Sequence, residues 1–287
     1  MITFFKEEMT SSKDNKNLFE NAIAARKNAL SILKPSWLGS WKWSMPSFAE
    51  ALDWLLIHPA QLRHGEYISS TPDKEVWHFQ LSEAFGSTQI VFRKIDGYKL
   101  PLSSRLGMSP SLKEALNFAV FSSLGIQTPD VLACGESRVL GFLRSSFIIT
   151  RYIKHSYSGE TLMPIGSLRE NIKLRMGFCK NLLRYLAKMH QAGYASKGFH
   201  PRNILFPKQS YEKNPQLIWV GAETNLWTGS QNMFNIIPLD LVHIFVALRL
   251  STKEIQELCA FYLECNPACG HTVQSIWDAM KDLPIGA

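Results

Sequence analysis

The hydrophobic period of this chain changes once along its length, and that change limits the folds open to it. Val76 to Leu81 (VWHFQL) and Thr88 to Ile95 (TQIVFRKI) are runs of β-branched and aromatic residues separated by Gly86-Ser87, the pattern of a hairpin. A helical spacing follows from Ser111 to Leu124 and ends at Gly125, a residue type that commonly closes a helix. Two more strand-like runs, DVLACGE and SSFIITRYI, bring the chain to Lys154. Beyond that point the period is helical. Leu168 to Ala192 places Leu174, Phe178, Leu182, Leu183, Leu186, Ala187 and His190 on one face, with Gly193 as the stop.

Asn203 to Phe206 and Gln216 to Val220 flank a polar loop and predict a second small hairpin, and Leu239 to Leu250 with Lys253 to Leu263 predict a helical pair. The expected fold class is therefore α+β and bilobal: a small antiparallel-sheet N-lobe carrying one helix, then a larger helical C-lobe. The boundaries fall at residues 1–70 for an N-terminal helical and tryptophan-rich extension, 71–154 for the N-lobe and 155–287 for the C-lobe. Within the extension, Asn17 to Leu33 has helical spacing. Pro35 to Trp43 (PSWLGSWKW) reads as a loop that lays its indoles on a core or, alternatively, on a membrane interface.

A chain of 287 residues with 46% hydrophobic content can build two cores, and it contains no uninterrupted run of about 18 apolar residues that would cross a bilayer. The polar start MITFFKEEMTSSKDNKN lacks the apolar centre of a signal peptide, so the expected location is the cytoplasm. Five sparse cysteines predict reduced thiols rather than a disulfide framework, and the grouping of Cys259, Cys265, Cys269 and His271 lacks a C-x-x-C pair. The formal charge of +7 suits an anionic partner, but its lysines and arginines are scattered among acids, so no nucleic acid is expected.

Chemistry concentrates in Met189 to Phe206. A phosphotransferase loop of the form H-R-D-x-x-x-x-N sets an Asp five residues before a metal-binding Asn, one taking the acceptor's proton and the other holding magnesium. Asn203 stands in the metal position, and Gly198 occupies the position of the base. Such a site also needs a strand Lys held by a Glu of the next helix. Lys94, on the same strand face as Phe92, and Glu114 are the expected pair, with Arg93 the competitor on the opposite face. The candidate phosphate loop, Phe85-Gly86-Ser87-Thr88, has the single glycine Gly86.

Four blocks in this order resemble the lipopolysaccharide kinase (Kdo/WaaP) family: Glu114 through Pro129 with Gly135-Glu136, Phe147 to Thr150, Met189-His190-Gln191-Ala192-Gly193-Tyr194 running into Pro201-Arg202-Asn203-Ile204-Leu205, and Pro238 to Ile244. The resemblance implies a protein-kinase-like fold, ATP and Mg²⁺ as cofactors, and a lipopolysaccharide core sugar as acceptor. It also gives Asp240 a structural role, supporting the backbone of the catalytic loop. A protein of envelope biosynthesis as partner and peripheral contact at the cytoplasmic face of the inner membrane are further expectations.

The departures are as informative as the matches. Gly198 cannot accept a proton, and Trp219 stands where the resemblance expects the second magnesium-binding acid, with Gly221 matching the glycine of D-F-G. A positioned base is worth about 10² to 10⁴ in rate. Losing it together with a metal ligand favours a pseudokinase with a scaffold or regulatory role. The alternative is an active ATP-dependent sugar kinase with displaced acids, for which Glu223 and His200 are the candidate ionisable groups.

Overall fold

The computed structural model describes residues 17–33, 39–58, 65–196, 200–208, 215–222, 225–228 and 233–281. Helix α1 (Asn17–Leu33) is followed by β1 (Gly39–Ser44), α2 (Ala49–Ile57), β2 (Glu66–Thr71), β3 (Lys74–Gln80), β4 (Gln89–Asp96), α3 (Leu102–Leu106), α4 (Pro110–Ser123), β5 (Val131–Val139) and β6 (Phe142–Arg151). The second half contains β7 (Ser156–Ser158), α5 (Ile172–Gln191), β8 (Tyr194–Ala195), β9 (Ile204–Pro207), β10 (Ile218–Trp219), β11 (Leu226–Trp227), α6 (Met233–Ala247), α7 (Thr252–Cys265) and α8 (Val273–Lys281). The fold is α+β and bilobal, a small sheet-based lobe followed by a larger helical one, as the order of periods anticipates.

The N-lobe is a six-stranded sheet in the order β1-β5-β6-β4-β3-β2, with each neighbouring pair antiparallel. Both of its faces are covered. Alternation along β4 sends Ile90 and Phe92 into a cluster with Phe48, Leu52 and Leu55 of α2 and the turn before it. The opposite parity, carried by Ile148 on β6 and Cys134 on β5, packs on Leu112, Ala115 and Phe118 of α4, and this core continues through α5, α6 and α7. The second layer, α2, is absent from the sequence expectation. So is β1: Pro35 to Trp43 was expected to be a loop, yet Gly39–Ser44 pairs with β5, Trp41 opposite Glu136 and Trp43 opposite Cys134. Residues 34–38 lie outside the described set.

Local signals fix the helices that position the cleft. Ser109 caps α4 by accepting from the amide of Leu112, and Pro110 opens its first turn. Gly125, at φ 68°, closes α4, with the amide of Ile126 returning to the carbonyl of Phe121. Asn171 caps α5 by accepting from the amide of Leu174, and a reciprocal Ser251–Glu254 box caps α7.

The cysteines are free. Burial pushes the thiols of Cys134, Cys179 and Cys259 up to about 12. Native protein treated with a chromogenic disulfide at pH 8 should therefore release thiol only from the partly exposed Cys265 and Cys269, whereas all five should react in denaturant. Rapid native reaction at Cys134 or Cys179 would contradict this packing.

Candidate active site

The strand cation that meets the helix glutamate is Arg93 and not Lys94. Arg93 Nη1 pairs with Glu114 Oε1, and Nη2 donates to the carbonyl of Val220 at 2.6 Å. The same Glu114 oxygen accepts from the amide of Ala222 at 3.2 Å. One buried ion pair thus ties β4, α4 and the segment after β10 together. Lys94 is exposed on the other face, opposite Glu75 and Phe147 in the ladder. Asn117, one helical turn beyond Glu114, reinforces the tie by donating to the carbonyls of Ala222 (2.7 Å) and Asn225 (2.9 Å).

Gly86 lies at the end of β4 remote from Arg93, in the turn before Gln89, where its φ of 70° serves the local bend. The turn at the Arg93 end joins β2 to β3 through Thr71-Pro72-Asp73-Lys74. It contains no glycine, and its Asp73 accepts from the Thr71 hydroxyl at 2.8 Å. A phosphate cradle needs successive amides free of side chains and of negative charge, and this turn supplies neither. On the Arg93 face, where His78 is paired with Val91, the imidazole of His78 stacks on Tyr152 of the interlobe connection with centroids 3.9 Å apart.

Asn203 ends a short 3-10 turn that begins at Pro201 and leads into β9. Its carbonyl accepts from the amide of Val220 at 2.7 Å, which sets the chain after β10 against it. Trp219 was expected at the place of the second acid. It turns the other way, only 1% exposed, edge-on to Phe121 at 5.9 Å, with its indole N–H donating to the carbonyl of Gly221 at 2.9 Å. The residue that faces Asn203 is Gly221, where a Cβ would stand 2.5 Å from Asn203 Oδ1. No carboxylate occurs from Trp219 to Ala222, and any side chain at Gly221 would displace the asparagine amide.

Mg²⁺ takes octahedral oxygen ligands, normally including one or two carboxylates, and among the described residues from Asn203 and from Trp219 to Ala222 the Asn203 amide is the one side-chain oxygen of that kind, which does not by itself fit a magnesium–nucleotide complex. Gly198 and Glu223 lie outside the described residues. His200 is described: its Nδ1 lies 3.7 Å from Glu160 Oε1 and accepts from the amide of Arg202. Partial burial first, then the nearby Arg202, pulls the His200 imidazole below its ordinary value, against an opposing effect of Glu160. Glu160 is a carboxylate beside this loop that motif counting did not single out.

Asp240 anchors the start of the loop. Its Oδ2 accepts from the amide of Ser196 at 2.5 Å and sits 3.1 Å from His190 Nε2. His190 Nδ1 is 2.7 Å from the hydroxyl of Tyr262, which accepts from Asn266 at 2.8 Å. The arrangement that satisfies every group has Nε2–H donating to Asp240 and Tyr262 O–H donating to Nδ1. Burial holds the Tyr262 phenol protonated by raising it far above its usual range. Asp240 and Ser196 therefore fix the entry to residues 197–203 whatever that loop carries.

Residues 90–220 match the profile of the lipopolysaccharide kinase (Kdo/WaaP) family. The chain is similar to a solved structure described as WaaP in complex with acyl carrier protein, with a TM-score of 0.60 at 13% identity, covering 83% of this chain and 92% of that one. An apo pseudokinase structure is also similar, with a TM-score of 0.41 at 12% identity over 76% of this chain and 90% of that one. No curated protein sequence matches. Arg93, Glu114, Asn203 and Trp219 all fall inside the matched segment, so the cleft described above lies in the part of the chain that is similar to the lipopolysaccharide kinase (Kdo/WaaP) family, on a protein-kinase-like fold.

Proposed function

We propose that this protein is a pseudokinase of the lipopolysaccharide kinase type, working by binding rather than by phosphoryl transfer, as a scaffold or regulatory partner in envelope glycolipid synthesis in the cytoplasm. The observation that carries the reading is the contact between Gly221 and Asn203, because a carboxylate side chain at Gly221, the residue that faces Asn203, would displace the asparagine amide. The engagement of Arg93 by Glu114 and the Val220 carbonyl supports it. A partner protein is part of the proposal. The similar WaaP structure contains acyl carrier protein, which makes an acyl carrier protein the first partner to test, and the net charge of +7 suits an acidic one.

Purified chain incubated with ATP, magnesium and lipopolysaccharide core oligosaccharide should transfer no more phosphate than an Arg93→Met control. ATP with magnesium should also leave the melting temperature unchanged, whereas a ligand at 100 times its Kd adds about 2.7 kcal/mol and several degrees.

The second reading, an active kinase with displaced acids, is favoured by the His200–Glu160 pair, since an imidazole lowered in this way is a neutral base near pH 7. Phosphate transfer abolished by both His200→Ala and Glu160→Gln would establish that reading and overturn the pseudokinase.

A further inference from the structure

The end of the N-lobe farthest from the interlobe connection exposes apolar residues that fold stability does not explain. Tyr98, Leu102 and Leu106, at steps of four, come from the segment between β4 and α4, and Val139 and Leu140 come from the β5–β6 turn. All are exposed, Leu140 by 85%. Leu140 and Gly141 both have positive φ, 51° and 82°, the two-residue turn that favours Asn-Gly. A leucine in left-handed backbone is uncommon, and one pointing to solvent adds nothing to a core.

The two apolar segments are held side by side by one buried guanidinium. Arg138, neutralised by Glu136 at 2.7 and 3.2 Å, donates to the carbonyls of Arg105 (3.2 Å) and Gly107 (2.8 Å) at the end of α3, and to Gly141 (2.9 Å) in the turn. Arg105 in turn lies over Tyr98 at 5.4 Å and Phe142 at 5.6 Å. The platform is therefore fixed rather than floppy. Around it Lys94, Lys99 and Arg144 are exposed. The neighbouring acids are largely matched: Asp96 lies 3.8 Å from Lys99, Glu75 faces Lys94 in the ladder, and Glu136 is buried against Arg138.

We infer that this end of the N-lobe docks on an anionic lipid bilayer, with Leu140, Leu102 and Leu106 entering the headgroup boundary and Lys99 and Arg144 meeting the lipid phosphates. The side chains project from a turn and a short helix instead of lining a groove, which suits a soft interface better than a protein of complementary shape. Apolar tips with a cationic surround are the combination that binds membrane surfaces without spanning them. Among the described residues no helix is long and apolar enough to cross a membrane. The inference stands apart from the state of the cleft, because none of these residues belongs to it.

The test is co-sedimentation of the full chain with vesicles of equimolar phosphatidylcholine and phosphatidylglycerol, against vesicles of phosphatidylcholine alone. The wild type should bind the mixed vesicles, and less as salt rises. Leu140→Asn combined with Leu102→Ser should weaken partition about tenfold or more, with an equal or higher melting temperature because Asn suits the turn. Arg144→Glu should remove much of the preference for anionic lipid. A wild type that ignores mixed vesicles overturns the inference. So does a double variant that binds them unchanged, or a patch that instead loses capture of a soluble acidic protein.

Discussion

Replacing Arg93 with Ala should lower the unfolding free energy by about 3 to 5 kcal/mol, because breaking a buried ion pair from one side leaves the other charge without compensation. Glu114 is 1% exposed, and its carboxylate would lose the guanidinium that neutralises it, while the carbonyl of Val220 would lose its donor. Arg93→Lys should fall between, since an ammonium cannot present the planar fork that spans Glu114 and Val220 together. The double replacement Arg93→Met with Glu114→Leu should recover most of the loss, as apolar substitutes for buried pairs often do. Lys94→Ala should stay within about 0.5 kcal/mol of wild type, as an exposed position does. Urea midpoints for the five proteins decide the matter. Equal losses for Arg93→Ala and Lys94→Ala would remove the clamp from the account.

The contrast between these neighbours shows what could be taken from the chain before folding. Alternation in β4 says that Arg93 and Lys94 point to opposite faces, but it cannot say which face meets α4 when both faces are covered. Phe92 misleads because it packs on the side of α2, a second layer that nothing in the spacing of β4 announces. Strand β1 was legible in principle: in Gly39-Ser-Trp-Lys-Trp-Ser the tryptophans alternate with polar residues, but Gly39 and the nearby Pro35 suggested a loop. The helices were easier. Ser109-Pro110, the glycine at 125 and the apolar stripe of α5 are local signals, and the structure uses them locally. The role of Gly221 was hidden, because β10 lasts only two residues and the face presented to Asn203 changes as the chain leaves it.

Trp219→Asp, the substitution that motif counting would choose to rebuild a metal site, should yield little or no soluble folded protein. Truncating a buried tryptophan removes about 3 to 5 kcal/mol, and an unpaired carboxylate in its place adds several more. Against a total stability of about 5 to 15 kcal/mol, that sum approaches the whole. Trp219→Phe should be tolerated better, because it keeps an aromatic ring beside Phe121 and loses chiefly the indole bond to the Gly221 carbonyl. Gly221→Asp aims at the correct face, yet its Cβ would overlap Asn203 Oδ1, so the new carboxylate could enter only by expelling the amide it should assist. Removing Asn203 to make room deletes the candidate ligand among the described residues of this corner. Each route back to two ligands thus breaks a packing contact that the present residues satisfy. Expression level, melting temperature and the magnesium-dependent melting shift with ATP measure all three variants together. A soluble Trp219→Asp protein stabilised by ATP only when magnesium is present would show that the tryptophan occupies the metal position after all, and that the loss of the acid is a point substitution and not a repacked corner of the fold.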